Sequence, residues 1–542
     1  MISYLNSKKY FIISLYFFTL LTVGLFTFSD YGISIDEDNT RINGFVSLKY
    51  IFEIFFPNLV NEIDKFTNIP SMADWEEQGI GVIFDLPTAF LEWFFQIEDS
   101  RNYFLMRHFV NFLFFFVAVY FFFLLIKNRY NSWIIGILGS AFLFLSPRIF
   151  AQSFYNNKDI VFMSLFIISL YTAINFLEKP DFRNAIIFSI ISSLAIDIRI
   201  LGVVLPTLVF LVYIINIYWV ENYKKNTIKP LILFLILTPF FITLFWPYLW
   251  QDPLGNFITI FKSLSNFDED IYNFYLGQYI SAKNLPWHYP IVWIFISTPL
   301  FYIILFIVGF IFIIRRFMRR VINIEENDYY NNFWKGKKEL QDLIFFSSFI
   351  IPLFVVIALN STLYDGWRHL YFIYPRFLMM SLLGLHIIKI LFFKKNKNLL
   401  LILSFLLLSP TLIWMFKYHP YQNVYFNFLA GKDFNNKFEL DYWGLSNVNA
   451  LKYIAENEDG DINVSRVGLS DLHLSKAFLS EKYRNKLSVI DDIKNSHYII
   501  NNYRNLPVKN INKNSVIPPN YKIFYEIIID GVPINTIYKK VK

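Results

Sequence analysis

The densest chemistry in this 542-residue chain is the run Ser34-Ile35-Asp36-Glu37-Asp38-Asn39-Thr40-Arg41. Three adjacent carboxylates repel one another, and beside a bilayer they are costly to desolvate. A solvated loop cluster is one reading of the run. The other is acid–base chemistry, in which one carboxylate takes the proton of an attacking hydroxyl. Basic side chains could serve the same reaction by stabilising a departing phosphate. Such a set occurs at Lys158 and Asp159 in Asn156-Asn157-Lys158-Asp159, at Arg199 in Asp197-Ile198-Arg199, and at Arg368 and His369 in Tyr364-Asp365-Gly366-Trp367-Arg368-His369. Arg107 and His108 add a fourth basic position. Taken singly, each is ordinarily a snorkelling or ion-paired residue.

The elements that must position these residues are membrane spans. The chain is 55% apolar and 17% charged, whereas an ordinary soluble domain is about 25% charged. That is too little charge to coat two or more soluble cores, so much of the surface must face lipid. The absence of cysteine excludes disulfides, thiolate metal sites and cysteine nucleophiles. With about 20 apolar residues needed per crossing, spans are expected near 10–28, 103–126, 133–146, 160–177, 185–198, 200–219, 231–247, 290–314, 342–359, 369–392 and 399–416. The expected fold is an α-helical polytopic membrane protein of about 11 transmembrane helices.

Charge placement orients it. With the N-terminus inside, the inner loops collect Lys127, Arg129, Lys179, Arg183, Lys224, Lys225, Lys229, Arg315, Arg316, Arg319, Arg320, Lys335, Lys337, Lys338, Lys394, Lys395 and Lys397. The opposite short loops hold only Arg148, Lys158, Arg199 and Arg368, the asymmetry expected of short loops. The net charge of +7 therefore reflects topology and does not point to nucleic acid. Cations on the disfavoured side suggest a fixed anionic ligand, for which a phosphate is the natural choice.

Two outer segments are long. Segment 29–102 is acidic, with two helical apolar stretches near 42–56 and 82–97 that would lie in the interface. Segment 248–289 is flanked and studded by Trp246, Tyr248, Trp250, Trp287 and Tyr289, aromatic residues of the headgroup level. The transmembrane unit would be 1–416. From 417 to 542 the composition is that of a small extracytoplasmic α/β domain, with helices at 446–456 and 473–484, strands at 463–468 and 497–501, and a hairpin turning at Asp530-Gly531.

In this order and topology the chain resembles the C-type glycosyltransferases related to the dolichyl-phosphate-mannose protein mannosyltransferases and the bacterial aminoarabinose transferases. The resemblance rests on Asp36-Glu37 after the first span, Asn157-Lys158-Asp159, Arg199-Ile200-Leu201-Gly202, and Gly366-Trp367-Arg368-His369 before a span. His419-Pro420-Tyr421-Gln422, Tyr425-Phe426-Asn427 and Asp441-Tyr442-Trp443-Gly444 complete it. It implies that Asp36 is the catalytic base, that Glu37 supports it or contacts the acceptor, and that Asp85 is a second acid of the same cavity. Lys158, Arg199, Arg368 and His369 would hold the donor phosphate, with Arg107, His108 and Asp159 in support.

The resemblance further implies a polyprenyl-phosphate sugar donor, inversion at the anomeric carbon, a glycan-lipid or protein acceptor, and no obligatory metal or other cofactor. Asp36-Glu37-Asp38 spells an Asp-x-Asp metal motif, so a divalent ion stays open. His419 and Asp441-Tyr442-Trp443-Gly444 read as interface anchors or as acceptor contacts. The expected location is a bacterial inner membrane, with the N-terminus cytoplasmic and the C-terminal domain outside. A transporter, flippase or polymerase for lipid-linked sugars is the alternative; a transporter would place its ionisable groups near the midplane in paired repeats, and no repeat is visible.

Overall fold

A computed structural model describes residues 8–219, 224–265, 271–322, 333–394, 397–504 and 517–541; Lys395 of the inner basic set lies outside them. The chain is a polytopic helical protein with a small C-terminal sheet. Among the described residues nine helices are long and apolar enough to cross a membrane, or ten if a bent pair counts as one span. The two departures from eleven have local causes. Helix α1 (Lys9–Thr27) is the first span, and the 31-residue helix ending at Tyr130 is the second. The third expected span is the pair Trp133–Phe144 and Pro147–Tyr155, bent by 68° where Ser146-Pro147 interrupts the hydrogen-bond ladder. The fifth, Phe182–Ile198, has 17 residues and is about 25 Å long at 1.5 Å per residue, shorter than the hydrocarbon layer. The expected span 290–314 is also divided, at Thr298-Pro299, into Tyr289–Ser297 and Leu300–Ile322.

The first outer segment folds onto the helical bundle. Helix α2 (Glu37–Phe55) starts at Asp36, and α3 (Asp85–Phe94) crosses it closely. The crossing depends on Gly44, where a Cβ would lie 2.2 Å from the Asp85 carbonyl oxygen. Along α2 the buried residues are Glu37, Thr40, Asn43, Gly44, Phe45, Val46, Ser47, Leu48 and Phe52. Phe45, Leu48 and Phe52 pack into an apolar cluster with Phe66 and Ala89, while Glu37, Thr40 and Asn43, at helical spacing, hold polar partners. At their far ends Ile54, Phe55, Phe56, Leu59, Phe90, Phe94 and Phe95 are exposed, as interfacial helices require.

Helix α4 (Ser100–Tyr130) is capped by the Asp99 side chain, which accepts from the Asn102 N–H at 3.2 Å. It runs about 46 Å, so its first turns reach beyond the hydrocarbon and carry Arg107 and His108 beneath α2 and α3. After α5 (Trp133–Phe144) and α6 (Pro147–Tyr155), the short link Asn156-Asn157-Lys158 leads into α7 (Asp159–Glu178), the most enclosed span. At the opposite end of the bundle Arg129 makes a bidentate pair with the Asp342 carboxylate at 2.8 and 2.7 Å, and Arg316 joins at 2.9 Å. These residues come from three separate helices that the charge pattern placed on one side.

In the C-terminal unit, β3 (Ile462–Val467) lies between β4 (Leu487–Val489) and β5 (Tyr498–Asn501), parallel to both. Strand β5 then pairs antiparallel with the hairpin of β6 (Tyr521–Ile529) and β7 (Val532–Lys540), for the order β4-β3-β5-β7-β6. Asp530 and Gly531 turn the hairpin with φ of 49° and 80°, the left-handed pair that matches strand twist. Helix Ser446–Asn457 packs on this sheet through Leu451, Ile454 and Ala455, with Val464, Ile500 and Ile537 beneath. The expected helix 473–484 is two short pieces, Leu472–Ala477 and Glu481–Arg484. The aromatic outer segment contains a further hairpin, β1 (Tyr272–Tyr275) with β2 (Gln278–Ser281).

Candidate active site

Asp159 is the centre of the site. It opens α7 and is buried; one carboxylate oxygen takes a short ion pair from Arg199, and the other lies 3.3 Å from Arg368 Nη1. Arg199 can reach it because helix Phe182–Ile198 ends at that residue, on the same side as the start of α7. Arg368 opens the turn Arg368–Ile373 that precedes helix Tyr374–Phe392. Its side chain is only 4% exposed and also faces Asp365 at 3.4 Å and Asp36 at 3.5 Å. The guanidinium stacks over Tyr364 and Trp443, 4.6 and 4.8 Å from the ring centroids. Asp365 is held from its other side by Arg504 of the C-terminal unit at 3.1 Å.

Lys158, next in sequence to Asp159, pairs with Glu77 at 3.6 Å. Among the described residues His369 makes no ion pair; its ring meets Tyr364 edge-on at 4.6 Å, and Nδ1 is buried without a hydrogen-bond partner. The structure thus brings Lys158, Asp159, Arg199, Arg368 and His369 together, although they are up to 211 positions apart in the chain.

The three carboxylates expected to do acid–base work have different surroundings. Asp36 is 34% exposed, with Arg368 as its cation. Glu37 is 2% exposed and saturated: Oε1 accepts from the Ser34 N–H at 2.7 Å, and Oε2 meets His108 Nε2 at 2.9 Å. Asp85 is 5% exposed, pairs with Arg107 at 2.8 Å and accepts from the Asn43 amide at 3.3 Å. Arg107 in turn donates to Thr88 and Thr40, and the Asn157 amide donates to Thr40 at 2.8 Å. Burial holds the Asp85 carboxyl above the usual range, with Arg107 pulling the other way.

Arg107 and His108 therefore partner Asp85 and Glu37, and do not join Arg199 and Arg368. This corrects the expectation that all the basic residues form one cluster: α4 runs under α2 and α3, whereas Lys158, Arg199 and Arg368 converge on the start of α7. Glu37, expected to support Asp36 or contact the acceptor, and Asp85, expected as a second acid of the cavity, are buried in pairs with His108 and Arg107 of α4. In Asp36-Glu37-Asp38 the outer two residues diverge, because neighbours two apart on a helix do not share a face. Asp36 turns to Arg368, while Asp38, raised in pKa chiefly by burial, has Arg41 and Arg107 as its nearest cations. No group of three or more metal-binding side chains occurs among the described residues.

Sequence reasoning missed Asp365, Glu77, Tyr364 and Arg504 as members of the site, and read Trp443 as an interface anchor or an acceptor contact. Asp365 and Tyr364 sit in the Arg368 motif and were within reach of inspection. Arg504 had no local signal, because only the docking of the C-terminal sheet brings it near. His419, expected at the interface, pairs with Asp30 at 2.8 Å and packs edge-on against Tyr31, away from Arg368.

No family model matches the chain, and no curated protein matches it. Among solved structures it is similar to ArnT from Cupriavidus metallidurans bound to undecaprenyl phosphate, at 10% identity and a TM-score of 0.48, over 97% of each chain. The same protein in the apo state gives the same figures. It is also similar to the apo oligosaccharyltransferase of Archaeoglobus fulgidus, at 11% identity and a TM-score of 0.43, over 84% of this chain and 65% of that one.

Proposed function

We propose that this protein is a membrane glycosyltransferase that moves a sugar from a polyprenyl-phosphate donor to an acceptor hydroxyl outside the cytoplasm, with Asp36 as the base. One observation carries the reading: Asp36 is a solvent-reaching carboxylate 3.5 Å from a buried guanidinium, Arg368, that shares Asp159, next in sequence to Lys158, with Arg199. A carboxylate that reaches solvent can meet an acceptor, whereas Glu37 and Asp85 cannot without unpacking.

In the reaction the Asp36 carboxylate takes the acceptor hydroxyl proton while that oxygen forms its bond to the anomeric carbon from the face opposite the phosphate. The carbon–oxygen bond to the phosphate breaks, and its electron pair stays on the phosphate, whose charge grows. Arg368, Arg199 and Lys158 are the groups placed to stabilise that charge, and His369 lines the same turn. Inversion follows from a single displacement, and the scheme needs no metal. Glu37 with His108, and Asp85 with Arg107, are positioning residues that hold the first turn of α2. The concentration of basic residues in the loops of the opposite side supports a site on the outer face of the membrane, with the C-terminal unit on the same side.

The test is release of free polyprenyl phosphate from a short-chain polyprenyl-phosphate sugar by purified protein with an acceptor extract. Asp36→Asn should insert and fold normally and lose about two to four orders of magnitude in turnover, the range for a positioned proton acceptor. Near-normal turnover in that variant would remove Asp36 from the role. Lipid translocation without any release would favour a transporter instead.

A further inference from the structure

Between the β1–β2 hairpin, the segment 435–442 and the end of β5 lies a cavity of about 180 Å³, room for one sugar ring. Its walls include Tyr279, Tyr503, Asn435, Asn436, Glu439 and Arg504. The hairpin is seated on that segment: Gly277 N–H donates to the Lys437 carbonyl at 3.2 Å, and Phe274 N–H donates to Glu439 Oε1 at 3.1 Å.

Glu439 Oε2 is buried with no hydrogen-bond partner among the described residues. Leaving such an atom unpaired is unfavourable, and because Glu439 lines the cavity a ligand hydroxyl there is the partner we assign to its carboxyl. Arg504 is already engaged by the Tyr442 carbonyl and by Asp365, so it leaves little positive charge for an anionic ligand. Burial and the neighbouring Asp365 push the Glu439 carboxyl up to about 8. That shift favours the protonated form, which offers a donor and an acceptor and no charge to attract a cation. What remains is aromatic rings, side-chain amides and a neutral carboxyl, a combination suited to a ring with apolar faces and hydroxyl edges.

We infer that this cavity binds one neutral sugar residue of the acceptor, gripped at its hydroxyls by Glu439 and the Asn435–Asn436 amides and stacked on Tyr279. The inference rests on the glycosyltransferase reading and deepens it. Arg504 of the cavity wall pairs with Asp365, and Asp365 with Arg368, so the wall of the cavity is in contact with the cluster that faces Asp36.

The experiment measures binding of methyl glycosides of neutral hexoses and N-acetylhexosamines to the full-length protein by saturation-transfer NMR, in a detergent without a sugar headgroup. At least one glycoside should bind, glucosamine should not displace it, and Glu439→Ala and Tyr279→Ala should each weaken binding tenfold or more. Asp36→Asn should bind as the parent protein does. Should Glu439→Ala fail to fold, Tyr279→Ala, on the partly exposed hairpin, decides the matter. Absence of binding by every neutral glycoside, binding indifferent to Tyr279→Ala, or preference for the cationic sugar would overturn the inference. Donor cleavage that depends on Asp36, without glycoside binding, would remove only this subsite; glycoside binding without donor cleavage would remove only the transfer reaction.

Discussion

Arg368→Ala separates chemistry from folding because of how the charges around Arg368 are shared. Breaking a buried ion pair by removing one partner ordinarily costs about 3–5 kcal/mol, since the remaining charge is left without compensation. Here each carboxylate keeps a remedy. Asp159 retains Arg199, Asp365 retains Arg504, and Asp36 is 34% exposed and can be hydrated. The folding cost should therefore fall below that range, to about 1–3 kcal/mol including the lost stacking on Tyr364 and Trp443. The cost to the reaction is larger. A donor aimed at charge that develops in the transition state is worth about 3–4 kcal/mol, or about 10²–10³ in rate. Purified Arg368→Ala should thus melt within several degrees of the parent protein while releasing polyprenyl phosphate at least a hundredfold more slowly. Arg368→Lys should recover part of the rate, because an ammonium supplies charge but not the planar fork that spans Asp159 and Asp365. Turnover within a few-fold of normal, or a loss of activity explained by unfolding, would refute the argument.

Asp85→Asn removes the carboxylate that, among the described residues, pairs with buried Arg107, so it should destabilise the protein by about 3–5 kcal/mol, seen as reduced Tm and yield, with the loss of activity following the loss of fold. Because Glu439 is raised from 4.5 to about 8 by burial, the folded state holds a proton there that the unfolded chain has released. Stability from this group is therefore fully present below about 4.5 and is lost as pH rises toward 8; Glu439→Gln should flatten the fall in Tm across that window, and an unchanged slope would show that the group does not titrate there. A periplasm-active reporter fused to the C-terminus should be active and one inserted at Lys335 silent; the reverse would put the site on the inner face.

What the sequence determined by itself was the material of the fold. Runs of about 20 apolar residues can be satisfied only as membrane helices, since backbone polar groups in hydrocarbon must pair within their own segment. The same local logic located α2 and α3, the 446–457 helix and the Asp530-Gly531 hairpin, each specified by neighbouring residues. Local patterning also singled out Asp36, Lys158, Arg199 and Arg368, because charge at a span boundary stands out against an apolar background. Tertiary structure decided what those charges do. Arg107 looks like Arg199 in sequence, yet α4 carries it to Asp85 while Arg199 turns to Asp159. Glu37 is adjacent to Asp36, yet one residue of helical rotation buries it against His108 and leaves Asp36 open. Arg504 reaches Asp365 from 139 positions away only because the C-terminal sheet docks on the helices. An ion pair depends on distances of a few ångströms between segments remote in the chain, and no local preference encodes such distances; packing sets them.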